Sequence, residues 1–255
     1  IACPCMVLII SDAHLGEGTA ATARSEERDL IRCLKAHQAR VTHVYLLGDL
    51  FDCFIEYRNV VPRGFVRLQG LLATWADRGV RVTYLAGNHD PWHRTYVRDE
   101  WGAQFVLDSM VASHFGRQLY LRHGDGLSTS AQPYRRLKPL LRHPVPTALY
   151  RGLLPADVGI GLARWVSRGF GGKRPSRRAA GEVRALAHAI VERTPIDMVA
   201  MGHTHIPDLQ AWSTGAYVNT GCWRDDRTFA RIDATGLHLV HWNGWATEEV
   251  DAVLF

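Results

Sequence analysis

The sequence lacks any apolar run long enough to cross a bilayer. Its first, Met6 to Ile10, runs straight into Ser11-Asp12, far short of the roughly 20 residues that a spanning helix needs, and no signal-peptide cleavage pattern accompanies it. Cysteine is sparse as well. The five residues, Cys3, Cys5, Cys33, Cys53 and Cys222, are odd in number and scattered, which gives no disulfide framework and fits a reducing compartment. Cys3-Pro4-Cys5 has no second cysteine pair to complete a metal site and reads as a lead-in to a strand. Low-complexity tracts and internal repeats are absent, and 47% hydrophobic residues is the composition of a folded globular chain. The expectation is a cytoplasmic protein without spanning segments. Its 255 residues allow one α/β domain with an insertion, not two independent enzymes.

Acidic residues are nearly missing from one region. Between residues 126 and 194, thirteen Lys and Arg face three acids, within an overall charge of +5, so the remainder is net acidic. Pro133, Pro139, Pro144, Pro146, Pro155 and Pro175 divide this helical stretch into several short helices. It reads as a lid over about 130–194, inserted into a single domain spanning 1–255. Val158, Leu162, Trp165 and Val166 fall on one face at helical spacing. An apolar and basic insert suits an acyl chain, a diphosphate and an anionic membrane surface. Nucleic acid would be drawn to the same charge, but the Leu, Val and Trp content favours lipid.

What is present is a repeated design in which an apolar, β-like run ends in His or Asp. Five stretches have it: Ser11-Asp12-Ala13-His14, Gly48-Asp49-Leu50-Phe51-Asp52, Gly87-Asn88-His89-Asp90, Arg122-His123-Gly124-Asp125 and Gly202-His203-Thr204-His205. The runs that feed them, Met6 to Ile10, Val41 to Leu47, Arg81 to Ala86, Gln118 to Leu121 and Asp197 to Met201, read as buried strands. Ser25 to Gln38 and Arg63 to Asp77 read as helices between them, and the β-α-β alternation implies a parallel sheet. In such sheets ligands bind outside the strand C-termini. Residues i and i+2 of an extended segment point to the same side, so Asp12 and His14 can reach one ion, and Gly48 allows close backbone approach beside Asp49. Pro91 to Gly116 reads as irregular. Ala216 to Asn219, Thr228 to Ile232 and Leu237 to Trp242 alternate like antiparallel strands and are expected to form a second sheet.

In this order the five stretches resemble the signature of the calcineurin-like metallophosphoesterases. The resemblance implies an α/β fold with a two-sheet β-sandwich core, flanking helices and a helical lid insertion. It implies two divalent ions, with Asp12, His14, Asp49 and His205 on one, Asp49, Asn88, His123 and His203 on the other, and Asp49 bridging. Carboxylate, imidazole and amide donors without a thiolate suit Mn²⁺, the expected ion, or Mg²⁺ or Fe²⁺, and Zn²⁺ is compatible. Two ions about 3.5–4 Å apart can hold a bridging hydroxide for in-line attack on phosphorus. His89, outside the ligand set, is free to act as general acid with Asp90 fixing its tautomer. Asp52 and Asp125 are expected behind the ligands, orienting them.

Within that family the sequence is most similar to the branch that hydrolyses UDP-2,3-diacylglucosamine in lipid A synthesis. The similarity is carried by Gly48-Asp49-Leu50-Phe51-Asp52, by Asp125 followed by Leu127, Thr129 and Tyr134, and by Gly221 with Trp223. The best-known members have Arg where this chain has His89 and acids where it has Ser130 and Ala131, whereas a sister branch keeps the histidine. The similarity implies a lipid-linked nucleotide substrate cleaved to 2,3-diacylglucosamine 1-phosphate and UMP, contacted by Tyr134, Arg135, Lys138 and Trp165. It also implies a peripheral location at the inner face of the cytoplasmic membrane and no nucleic-acid partner. Two alternatives stay open: another metallophosphoesterase, either a nucleotide phosphodiesterase or a nuclease, and a non-catalytic scaffold of the same fold. No pattern encodes the oligomeric state.

Overall fold

Met6–Ile10 forms β1, and all five of its residues are buried. A strand that is apolar on both faces belongs between two packed layers. Met6, Leu8 and Ile10 enter one core, and Val7 and Ile9 enter another. Each such side chain contributes about 1.5–3 kcal/mol on full burial, so β1 is firmly held where it delivers Asp12. The computed structural model describes residues 5–170 and 176–255, without the side chains of 130, 133 and 167–170. Cys3-Pro4 and part of the expected lid, 171–175, therefore lie outside the described residues.

The first half alternates strand and helix: α1 (Ala20–His37), β2 (Val41–Leu46), α2 (Val66–Asp77), β3 (Arg81–Leu85), α3 (Tyr96–Trp101) and β4 (Gln104–Val106). Helix α1 starts five residues before the Ser25 suggested by periodicity, because the Thr19 hydroxyl accepts the Thr22 N–H at 3.1 Å and caps it. Strands β1 to β4 pair in parallel. The stretch expected to be irregular, Pro91 to Gly116, instead holds α3, β4 and the whole of β5 (Ser109–His114), which hairpins into β6 (Arg117–Arg122).

Four helices follow, α4 (Gln132–Arg142), α5 (Pro144–Leu153), α6 (Ala156–Phe170) and α7 (Arg177–Arg193), then β7 (Met198–Met201), β8 (Asp208–Trp212), β9 (Gly215–Asn219), α8 (Trp223–Asp226), β10 (Thr228–Asp233), β11 (Gly236–Trp242) and β12 (Thr247–Leu254). The stretch expected as a lid, 130–194, does not lie apart from the core along its whole length. Val183, Ala187 and Val191 of α7 pack on Val199, Met201 and Tyr217 of β7 and β9, which makes α7 an outer layer of the core. Pro139 sits inside α4 instead of breaking the helix.

The sheets divide differently from the expectation. One runs β12-β11-β10-β1-β2-β3-β4 and the other β5-β6-β7-β9-β8, so β10 and β11 extend the first sheet and only β9 of the expected trio joins the second. Between the sheets, Val7, Ile9, Tyr45, Leu47 and Leu85 meet Leu119, Leu121, Met198, Ala200 and Val218. Helices α1, α2 and α3 cover the first sheet through Leu30, Leu34, Leu68, Leu72, Trp75 and Trp101. The result is a four-layer α/β/β/α sandwich with α4, α5 and α6 added.

Candidate metal centre

Because β1, β2 and β3 are parallel neighbours in one sheet, and β6 and β7 in the other, the five loops after them leave one edge of the sandwich. Asp12 and His14 follow β1, Asp49 follows β2, Asn88 and His89 follow β3, His123 follows β6, and His203 and His205 follow β7. Asp12 (φ 54°), His14 (42°), Asp49 (52°), His203 (65°) and His205 (54°) are all left-handed. They are five of the eight non-glycine residues with positive φ among the described residues. Each such conformation costs of order 1–3 kcal/mol and collects at functional sites. Glycines make room for it. A Cβ on Gly87 would fall 2.0 Å from Oδ1 of Asp49, and one on Gly202 2.5 Å from Oδ2 of Asp12.

Two clusters of donor atoms meet at Asp49. In the first, Nε2 of His14 and Nε2 of His205 lie 3.2 Å apart, and Oδ1 of Asp12 is 3.2 Å from the latter and 3.8 Å from the former. That oxygen is buried without a hydrogen-bond partner, since the His205 approach lacks hydrogen-bonding geometry. The other oxygen of Asp12 accepts the His203 N–H at 2.8 Å and the Ser11 hydroxyl. In the second cluster, Nε2 of His123 is 3.4 Å from Oδ2 of Asp49 and 3.2 Å from Oδ1 of Asn88, and His203 joins Asp49 and His123 with donor atoms within 4.8 Å of one another. Oδ2 of Asp49 is also 3.9 Å from His14 Nε2, which places this carboxylate between the clusters.

The electrostatics are those of a site built for cations. Burial opposes the charge of Asp12, yet the close approach of His205 and the field of His123 hold its carboxyl at about 2. Asp49 is likewise kept well below the usual range, against burial, by His123 and His89. Burial lowers His14 and His203 to about 4, whereas Asp49 overcomes burial and lifts His123 to about 10. Buried carboxylates need positive charge nearby. Protonated imidazoles or metal ions can provide it, and an orphaned carboxylate oxygen beside two facing imidazole nitrogens fits an ion. His123 is oriented for that role, because its Nδ1–H donates to the Leu47 carbonyl at 2.6 Å and leaves Nε2 turned inward.

His89 also faces this cup, with Nε2 4.0 Å from Oδ2 of Asp49. Its tautomer is set by Asp52 and not by Asp90. Nδ1 of His89 donates to the Asp52 carbonyl at 3.1 Å and lies 3.6 Å from the Asp52 carboxylate. Against burial, Asp49 and Asp52 raise His89 to about 9. Asp90 is turned beneath the loops, where it accepts the N–H groups of Asp49 (3.1 Å), Phe51 (3.1 Å) and Gly87 (3.0 Å) and the Tyr84 hydroxyl. Burial and the Asp49 charge push it up to about 6. Asp90 therefore ties the end of β2 to the end of β3, and the sequence pattern gave no sign of this because its partners are backbone amides.

Asp125 lies behind His123 but also anchors α4. It receives Tyr134 Oη at 2.8 Å, Lys138 Nζ at 3.0 Å and Arg142 Nη2 at 3.1 Å, and Arg142 continues to the Gly87 carbonyl at 3.2 Å. Two expected substrate contacts, Tyr134 and Lys138, are thus engaged in docking α4. The other two are exposed, Arg135 on α4 and Trp165 on α6. Arg164, next to Trp165, lines a cleft with Asp52, Phe54, Arg63 and Phe65. Sequence reasoning missed Ser11 and Thr220, whose hydroxyls meet at 2.5 Å beside Asp12, as well as Tyr84 and Arg142. Ser11 was findable from its place before Asp12, whereas Arg142 was one of thirteen basic residues in its region.

Known proteins resemble this chain. The family model for calcineurin-like phosphoesterases matches residues 6–207. A protein of Porphyromonas gingivalis named UDP-2,3-diacylglucosamine hydrolase is 34% identical over 252 residues, covering 91% of this chain and 96% of its own. One of the same name from Stenotrophomonas maltophilia is 28% identical, covering 91% and 96%. Among solved structures, the phosphoesterase Yfce of E. coli has the same fold, with a TM-score of 0.50 at 14% identity and 98% coverage of both chains. With the matched region containing every one of the clustered His, Asp and Asn side chains, the chain belongs to the calcineurin-like phosphoesterase family.

Proposed function

We propose that this chain is a two-metal hydrolase that cleaves the diphosphate of UDP-2,3-diacylglucosamine to 2,3-diacylglucosamine 1-phosphate and UMP. The observation that carries the substrate is the 34% identity, over nearly the whole of both chains, to a hydrolase named for it. Asp12, His14, Asp49 and His205 would hold one divalent ion and Asp49, Asn88, His123 and His203 the other, with Mn²⁺ favoured by the donor set. When bound, the ions supply an activated water and offset charge on the phosphate. His89, held by Asp52 with Nε2 toward the cup, would give a proton to the leaving oxygen.

The lid supports a lipid substrate. Leu137, Leu140, Val145, Leu149, Leu153, Val158 and Trp165 are exposed on α4, α5 and α6, and this apolar surface carries Arg135, Arg136 and Arg164 with it. Among the described residues no helix is long and apolar enough to cross a membrane. The enzyme would sit peripherally at the cytoplasmic face, with arginines on anionic headgroups and apolar side chains toward the acyl region.

The deciding experiment incubates the purified protein and Mn²⁺ with UDP-2,3-diacylglucosamine, a cyclic nucleotide and single-stranded DNA, and identifies the products. UMP with the lipid phosphate, and no cleavage of the other two, is expected. Cleavage of DNA or the cyclic nucleotide alone would overturn the lipid reading.

A further inference from the structure

We propose that His205, Cys222 and Asp225 form a separate site for a thiophilic divalent cation such as Zn²⁺ or Cd²⁺. Each of the three offers a ligand atom within 4.8 Å of the others. His205 directs Nε2 at Asp12, and its Nδ1 is buried with no hydrogen-bond partner, so one ring nitrogen is left for a second ligand field. Cys222 is fully buried, and its thiol donates to the Asp12 carbonyl at 3.2 Å. Asp225 is exposed and paired with Arg224 at 3.1 Å. The trio thus runs from a buried sulfur to a carboxylate that solvent reaches, which gives a cation a way in.

The donor chemistry separates this site from the cup beside it. The cup offers carboxylate, imidazole and amide groups, which suit Mn²⁺ or Mg²⁺ as well as softer ions. Thiolate, imidazole and carboxylate together select a softer cation, with the fourth position left to water. Binding displaces the thiol proton and, where Nε2 of His205 already holds an ion, the Nδ1 proton of that ring to solvent, with no change of oxidation state. Because His205 belongs to both groups, a soft cation at Cys222 draws on the same ring that faces Asp12. The site would therefore act as an inhibitory sensor of excess zinc or cadmium. The inhibition, but not the binding, rests on His205 being a ligand in the cup.

The test uses the full chain with Cys3 and Cys5 replaced by serine, loaded with Mn²⁺ and titrated with Cd²⁺. Thiolate-to-cadmium charge-transfer absorption and bound metal by elemental analysis are followed together with turnover. One Cd²⁺ is expected to bind with that absorption and to suppress turnover. Cys222→Ser should lose the absorption while still turning over without Cd²⁺. Asp225→Asn should bind Cd²⁺ at least about 10-fold more weakly, since even outer partners of a metal site contribute that much. No charge-transfer band, or a band that survives in Cys222→Ser, would overturn the site. A Cys222-dependent band with unchanged turnover would keep the site and remove His205 from the proposed ligand set.

Discussion

Asp12, Asp49 and His123 are at most 1% exposed, whereas Val145, Leu153 and Trp165 of the lid stand 65–72% exposed. The cup is set by backbone: five left-handed residues on loops fixed to buried strands, with Asp90 tying two of the loops together. The helices α4 to α6 are held by Asp125 with Lys138 and Arg142, by Trp92, whose Nε1–H donates to the Leu141 carbonyl at 2.7 Å, and by Ile160, which packs with Cys53, Ile55 and Tyr57. Chemistry that needs close placement sits on the buried part, and the exposed apolar surface is joined to it by separate polar and apolar contacts. The two regions should therefore fail separately.

The largest effect is expected in the cup. Asp49→Ala should abolish turnover and release both ions, because this carboxylate lies between the two donor clusters. Elemental analysis showing two ions retained would break the bridging assignment. Next comes His89→Ala, which should keep both ions and lower kcat by roughly 10²–10⁴-fold, the usual worth of general acid catalysis. Near-normal kcat on a substrate with a poor leaving group would reject that role.

Cutting the lid from the core should show a different pattern. Asp125→Asn leaves Lys138 and Arg142 without their buried carboxylate, and losing one member of such a pair costs about 3–5 kcal/mol. Faster proteolysis within α4 to α6 and a raised KM are expected, with the metals kept. His123, Arg142 and Lys138 hold the Asp125 carboxyl at about 2 in spite of burial. Its contribution is complete above the ordinary carboxyl value of 3.8 and is lost as the pH falls toward about 2. Lid proteolysis followed between those values checks the sign.

His93 tests the boundary between the regions. Its ring stacks on Phe54 at 4.3 Å, and neither nitrogen has a partner. Burial, and to a lesser degree Arg151, lowers it from 6.5 to about 3. Below pH 6.5 the unfolded chain takes up a proton that the folded chain refuses, so stability should fall by about 1.4 kcal/mol per pH unit. His93→Phe should flatten that slope in denaturant melts between pH 6.5 and 4, and an unchanged slope would assign it to other groups. The smallest effect belongs to Trp165→Ala. Exposed at 72%, it should leave Tm unchanged and raise KM only for long-chain substrates, and an equal change for short-chain ones would count against an acyl contact.

The same division decides what could be read from residues alone. Strand β1 was legible because burial on both faces makes an unbroken apolar run, and the five strand-end motifs were legible because their donors sit at fixed spacing. Strand β12 was not, since Glu248, Glu249 and Asp251 on an exposed edge hide its periodicity. Nor was the membership of β10 in the first sheet, which depends on pairing with β1 more than two hundred residues earlier in the chain. The roles of Asp52 and Asp90 were exchanged for a related reason. Sequence adjacency pointed to Asp90, whereas the fold brings Asp52 across from the end of β2.

The left-handed backbone at His14 and His205 also sets a limit on improving this protein. Glycine would adopt those angles without the Cβ penalty, so variants chosen for heat resistance alone would be drawn to replace these two side chains. Each would then gain stability as it lost a donor atom. Stabilising changes in proteins range from neutral to costly for function, the cost falling where activity needs a strained site, and selection without an activity screen would erode the cup in that way.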